Sequence, residues 1–259
     1  MFAWNISEVS GLDFGTDFSR ISSWGTSVNE EGKIADDRFK NNETKYAGFV
    51  SYRLFSEKWK GSVGLRYEYV HAINTDQGEV KNRNDYSDLL PSLSLSTSLG
   101  KVDMSLDFSS RVNRPSFRQL NNSVSYNNQY HYEQGNIYLK PQYVYDAEFS
   151  LDYGIFDFKV DYQYIKDYIH PTVVAIAGKP GTVAWMSTNA DRFQQLGAQC
   201  VVAPVVGCWR PTLTAGVYKP YFTLAYNGSE TSYNRPYGLL AFQNAVELKG
   251  DWLLRGDFY

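Results

Sequence analysis

From Phe156 onward the chain alternates residue by residue between two kinds of side chain. Phe156, Phe158, Val160, Tyr162 and Tyr164 are apolar or aromatic, while Asp157, Lys159, Asp161 and Gln163 between them are charged or polar. A period of two marks a β-strand with one greasy and one wet face. Val102, Met104, Leu106 and Phe108 repeat the pattern against Asp103, Ser105, Asp107 and Ser109. So do Tyr143, Tyr145, Ala147, Phe149, Leu151 and Tyr153 against Asp146, Glu148, Ser150 and Asp152. Val63, Leu65, Tyr67 and Tyr69 oppose Ser62, Gly64, Arg66 and Glu68, and Leu89, Leu93 and Leu95 oppose Ser92, Ser94 and Ser96. Near the end Leu240, Phe242, Val246 and Leu248 form one face, and Trp252, Leu254 and Phe258 open another strand.

The connections alternate too. Tight turns are expected near 57–60, 99–101, 153–155, 204–207 and 249–251, and long polar stretches at 27–44, 74–85, 113–138, 167–189 and 227–236. Short turns at one rim and long loops at the other are the pattern of an outer-membrane barrel. A soluble β-sandwich also alternates, but here charges run through the strand centres, as suits a water-filled lumen. The pattern predicts an all-β fold, an antiparallel transmembrane β-barrel. About eleven strands are expected, the last one cut, so residues 1–259 read as one incomplete barrel segment of a larger molecule.

Composition agrees. Aromatic residues make up 16% of the 259 positions, with 21 Tyr, 15 Phe and 6 Trp, yet mean hydropathy is −0.42. A helical membrane protein needs runs of about 20 apolar residues, and none is present. In a barrel only every second residue meets lipid, and aromatic girdles mark both interfaces. The net charge of −3 leaves no basic footprint for nucleic acid. Residues 1–7 contain no basic segment followed by an apolar run, so the export signal is expected to be already removed or to lie in a longer gene product.

The stretch Arg111-Val-Asn-Arg114-Pro115-Ser-Phe-Arg-Gln-Leu-Asn, followed by Gly135-Asn136-Ile-Tyr-Leu139-Lys140-Pro141-Gln-Tyr, resembles a signature of TonB-dependent outer-membrane receptor barrels. It is most similar to an outer-membrane β-barrel family in which an R-x-x-R-P strand end leads to G-N-P-x-L-K-P-E. Ile137 stands where that family usually has Pro, and Gln142 where it usually has Glu. Gly64-Leu-Arg-Tyr-Glu68 and Val246-Glu-Leu-Lys-Gly-Asp-Trp252 extend the resemblance from about Asn42 to the end. It implies a barrel of about 22 strands in the bacterial outer membrane. It also implies an amino-terminal plug domain, coupling to TonB through that plug, and import of a large scarce nutrient: a siderophore, cobalamin, glycan or peptide. Neither plug nor TonB box stands in this sequence.

Pro115 and Pro141 lack a backbone donor and suit strand ends, and Gly135 with Asn136 supplies turn chemistry. Arg111 and Arg114 read in two ways. They could bind an anionic substrate or plug carboxylates, or pair with Asp146 or Glu148 across the hairpin and fix its register, the reading the sequence favours. The loop holding Tyr126, Asn128, Tyr130, His131 and Tyr132 is dense in rings and amides, as ligand-binding surfaces are. It is the first candidate for substrate contact, with loop packing or an aromatic girdle as the alternative. Val173, Val174, Ile176, Val183 and Trp185 flank Gly178-Lys-Pro-Gly181, which predicts a hairpin projecting beyond the membrane.

Cys200 and Cys208 bracket a tight turn and are a candidate disulfide in an oxidising compartment; alternatively Cys200, in phase with Leu196, Ala198 and Val202, faces lipid. His71, His131 and His170 fall at strand ends or in loops, and no metal or other cofactor is expected. No nucleophile elbow, phosphate loop or H-E-x-x-H motif suggests an enzyme. The expected partners are outer-membrane lipid, the plug, TonB through that plug, and the nutrient. The competing functions are a passive pore or surface adhesin, and a soluble carbohydrate-binding β-protein.

Overall fold

The alternating segments all form strands. The computed structural model describes residues 2–28, 37–121, 124–128, 130–176, 181–226, 229–248, 250 and 252–258, without the side chains of 27, 37, 126–128, 225 and 226. The strands are β1 (Phe2–Ser7), β2 (Ser10–Ser27), β3 (Asp37–Phe55), β4 (Trp59–Asp76), β5 (Glu79–Leu99) and β6 (Val102–Asn113). After the one-turn helix α1 (Phe117–Leu120) come β7 (Val124–Asn128), β8 (His131–Gln134), β9 (Gln142–Tyr153) and β10 (Phe156–Ala175). Then follow β11 (Val183–Val202), β12 (Trp209–Tyr226), β13 (Ser229–Tyr233), β14 (Tyr237–Leu248) and β15 (Trp252–Phe258).

Among the described residues the sheet runs β1-β2-β3-β4-β5-β6-β9-β10-β11-β12-β14-β15, with β13 beside β12, and β8 beside both β7 and β11. Every neighbour along that path is antiparallel; the β8–β11 contact is parallel. The path holds twelve strands instead of the expected eleven or so. The additional one is β1, six residues joined to β2 by a turn at Glu8 and Val9. Its edges, β1 and β15, do not pair with each other, so the sheet is an unclosed barrel wall.

Register shows why the sheet has two unlike faces. One row of ladder partners reads Leu12, Tyr52, Val63, Leu93, Phe108, Ala147, Tyr162 and Leu196 across eight strands. The adjacent row reads Asp13, Ser51, Gly64, Ser92, Ser109, Asp146, Gln163 and Gln195. Successive side chains point to opposite faces, so across these eight strands the two rows present an apolar side and a polar side. Val63 is 58% exposed, Tyr162 40% and Leu196 45%, on a surface far too apolar for water. Lipid covers it.

The strands are longer than a membrane crossing requires. A tilted spanning strand needs about 9–11 residues, whereas β5 has 21 and β10 and β11 have 20 each. The surplus lies away from the short turns and corrects the expected loops. Residues 74–85 are paired strand up to a two-residue turn at Gln77 and Gly78, with φ of 51° and 83°, the twist a tight hairpin prefers. The stretches 27–44, 167–189 and 227–236 likewise contain the ends of β3, β10 and β11 and all of β13. A hairpin wet on both faces needs no alternation, which is why the pattern fades there while the backbone stays paired. The projecting hairpin expected around 178–181 is formed by β10 and β11, though its tip at 177–180 lies outside the described residues.

Candidate functional site

Above Ser92 and Ser109 the β5–β6 ladder stops, and the wall is completed by the segment from Arg114 to Pro141. The sequence folds it locally. Pro115 ends β6, and Ser116 caps α1 through a capping box with Gln119. The Ser-x-x-Gln spacing was a legible signal for this helix.

The segment's apolar side chains form the small core of the described chain. Leu120, Ile137 and Leu139 pack with Phe39 of β3, and Phe117 and Ile169 close the cluster. Ile137, where the family signature usually has Pro, is therefore a core residue with 4% exposure. Its carbonyl accepts from Asn82 Nδ2 at 3.1 Å. Gln142, where the signature usually has Glu, accepts the Ile169 backbone N–H at 2.8 Å. A carboxylate would accept it equally well, so both departures keep the packing.

Gly135 acts through close approach. Its φ is not positive, but a Cβ there would stand 2.1 Å from the Asn121 carbonyl oxygen. Its N–H donates to that oxygen at 3.0 Å, and the Asn136 N–H donates to Gln119 at 2.6 Å. On the far side Asn136 Nδ2 donates to the Ser187 carbonyl, and Asn189 of β11 exchanges two hydrogen bonds with the Lys140 backbone, at 2.9 and 3.1 Å. Pro141 is buried and Lys140 exposed.

Residues 136–140 thus reach both β3, through Ile137 and Leu139, and β11, through Asn136 and Lys140. In a flat sheet those strands would stand about 29 Å apart, six steps of about 4.8 Å. The sheet must curl, and the segment braces the curl.

On the polar face an ionic chain ties the brace to the wall. Arg114 donates to Glu68 at 2.9 Å and reaches Asp88 at 3.3 Å. Arg66 bonds the other Glu68 oxygen at 2.7 Å and approaches Asp17 at 3.3 Å, which Lys45 also pairs at 3.1 Å. Tyr143 donates its hydroxyl to Asp88 at 3.0 Å. Arg111 does pair with Asp146, as expected. Arg114 does not pair with Asp146 or Glu148, because the chain leaves β6 at Asn113 and carries its guanidinium over β4 and β5. Glu148 pairs instead with Lys159, at 2.5 Å. Beside them is a polar hollow of about 710 Å³ whose lining includes Asp107, Asp146, Lys159, Asp161 and Gln199.

The ring-rich loop forms the β7–β8 hairpin. Tyr132 is 8% exposed in β8, opposite Ala184 of β11. Tyr130 and His131 are exposed. Tyr126 and Asn128 lie on the backbone of β7 opposite Tyr132 and His131, but their side chains are outside the described ones. The candidate disulfide is not formed: Cys200 and Cys208 are both free. Cys200 faces Ala215 across the β11–β12 ladder, and Cys208 sits in the turn one residue before β12. Among the described residues no cluster of three His, Cys, Asp or Glu is arranged to hold a metal ion.

A family model described as the outer membrane protein beta-barrel family matches residues 12–258. Comparison with curated proteins returns no match. Solved structures share the fold. The FrpB iron transporter from Neisseria meningitidis superposes with a TM-score of 0.60 at 13% identity, over 95% of this chain and 39% of that one. The ferric-catecholate import receptor Fiu from Escherichia coli K12 gives 0.59 at 11%, over 96% and 41%. The copper transporter OprC gives 0.55 at 12%, over 93% and 46%. The chain therefore spans about two-fifths of the length of the solved proteins it resembles.

Proposed function

This chain belongs to the outer membrane protein β-barrel family, and from that premise we propose that it forms part of the wall of a TonB-dependent receptor importing a large, scarce nutrient. The observation that carries the reading is the pair of adjacent ladder rows, apolar and polar, running across eight strands. Such a wall separates lipid from an aqueous lumen. A plug domain would sit against the polar face, and TonB would act through that plug. The solved likenesses are iron and copper transporters and a ferric-catecholate import receptor, which supports import of a scarce nutrient.

A passive pore is the competing reading. The brace from Arg114 to Pro141, packed between β3 and β11, disfavours it by narrowing the polar side of the wall. Two measurements separate the readings. Nutrient uptake by cells carrying the full-length protein should vanish when TonB is deleted, and the purified protein should give no steady ion conductance in planar bilayers. Stable conductance together with TonB-independent uptake would support the pore instead.

A further inference from the structure

The β11–β12 ladder ends at the rung Phe193–Phe222. Beyond it the two strands part. β11 continues upward paired with β10 to Val183, and β12 continues paired with β13 from Phe222–Tyr233 to Tyr226–Ser229. The two projecting hairpins are therefore not paired with each other, and a gap separates them below the point where β8 pairs with the other edge of β11, at Val183–Trp185. The gap is a cleft of about 1290 Å³, above the range of about 300–1,000 Å³ usual for a single small molecule.

Aromatic rings form its floor and rim. Phe222 meets Phe193 at 5.8 Å, Tyr168 at 5.4 Å, His170 at 5.9 Å and Tyr233 at 6.0 Å between centroids. His170 is buried and its ring is fixed. The Pro171 carbonyl, 3.0 Å from Nδ1, can only accept, so Nδ1 carries a proton, and Nε2 lies 3.2 Å from the Thr188 hydroxyl. Above this floor Trp185 and Tyr233 present rings that are 51% and 52% exposed, while the Tyr221 ring carries the Lys219 ammonium at 5.2 Å. The charged lining residues are Asp191, Glu230 and Arg192, two acids against one base. The rest of the polar lining is uncharged, including Thr172, Thr223, Thr231 and Asn234.

We propose that this cleft binds an uncharged oligosaccharide, whose sugar faces stack on Trp185 and Tyr233. Flat rings offer large contact area at low entropy cost, and hydroxyls and amides match a ligand made of hydroxyl groups. A ferric catecholate is an anion and would meet a carboxylate excess. The cleft's size favours an oligomer over a single sugar. The proposal rests on reading the chain as part of a receptor, and it moves the substrate contact from the Tyr126–Tyr132 loop to this gap.

The test uses the full-length protein in detergent and an array of neutral oligosaccharides that includes maltohexaose, cellohexaose and xylohexaose, with a ferric catecholate as the competing probe. At least one neutral oligosaccharide should bind saturably and quench tryptophan fluorescence. Trp185→Ala and Tyr233→Ala should each weaken it roughly tenfold or more, while Trp252→Ala on β15 leaves it unchanged. All three variants should migrate as folded barrels on unheated gels. Binding of no array member, binding indifferent to both cleft variants, or cleft-dependent binding of the ferric catecholate would each overturn the proposal. TonB-dependent uptake of the catecholate would leave the receptor reading standing and remove only the ligand class. Oligosaccharide binding without TonB-dependent uptake would do the reverse.

Discussion

Arg114 and Glu68 are 46 residues apart in sequence and 2.9 Å apart in space, and their contact joins the brace to the barrel wall. The guanidinium is 17% exposed, and its two acidic partners, Glu68 and Asp88, are 9% and 5% exposed. Among the described residues, removing the cation leaves Glu68 with Arg66 alone and the nearly buried Asp88 facing it with only the Tyr143 hydroxyl. Arg114→Ala should therefore destabilise the protein by about 3–5 kcal/mol, the cost of breaking a buried pair. Arg114→Lys should recover only part of this, since an ammonium cannot span two carboxylates as a planar fork does. The triple change Arg114→Met, Glu68→Gln and Asp88→Asn should recover most of it. Urea unfolding in detergent micelles, followed by tryptophan emission, measures all three. A triple variant no more stable than Arg114→Ala would show that the ions do more than balance one another.

Gly135 offers a sharper test of the brace. A methyl group there meets the Asn121 carbonyl oxygen at 2.1 Å, with backbone and not a flexible side chain as the obstacle. The segment after residue 135 would have to lift away from α1, losing the hydrogen bonds to Asn121 and Gln119. Gly135→Ala should cost about 3 kcal/mol, the upper end for overpacking. It should also open the 135–141 segment to protease before the strands unfold. Limited proteolysis mapped by mass spectrometry reads the site of first cleavage, and first cleavage in a short turn would contradict this account.

How much of this was legible follows from the range of the physics involved. Alternation is local, so Phe156 to Tyr164 and their partners in β9 announced a two-faced wall without knowledge of their neighbours. The hairpin at Gln77 and Gly78 was hidden because solvent on both sides removes the period while the ladder persists. The brace was visible only as a motif. Its chemistry depends on Phe39, Glu68, Asp88 and Asn189, which the chain brings from four different strands. Arg111 was predictable because Asp146 lies across one ladder, two residues along from the Arg111 partner Val144 and so on the same face. Arg114 was not, because it had already left that ladder. The cleft depends on where two strands separate, and no local pattern marks such a place.

The assignment of faces can be checked at a single site. Ala147 stands between Phe108 and Tyr162 in the apolar row. It lies six residues before the end of β9 at Tyr153, near the middle of a spanning strand of about 9–11 residues. Ala147→Arg puts a charge into lipid and should cost about 2–4 kcal/mol. The same charge at Gln163, in the polar row, should cost about 1 kcal/mol or less, because water and Asp146 receive it. Equilibrium unfolding from lipid vesicles compares the two directly. Equal costs would mean that the faces are reversed or that neither meets lipid.

Beyond the membrane the β4–β5 hairpin carries a hydrogen-bonded histidine and aspartate. His71 Nδ1 lies 2.6 Å from Asp85 Oδ1, which also accepts the Tyr69 hydroxyl at 2.8 Å. The hydrogen bond from His71, then that from Tyr69, hold the Asp85 carboxyl below its ordinary value of 3.8, against a smaller opposing effect of desolvation. A depressed folded value means that the bonds favour the paired hairpin fully above pH 3.8. That contribution fades as the pH falls through the lowered value. Carbon-detected NMR of the aspartate carboxyls should place the Asp85 inflection below 3.8. His71→Ala should move it upward, because the largest source of the depression is gone, while Tyr69→Phe should move it less. An inflection that stays in place in His71→Ala would mean that the imidazole is turned away from the carboxylate in solution and that the hairpin is held by its backbone ladder alone.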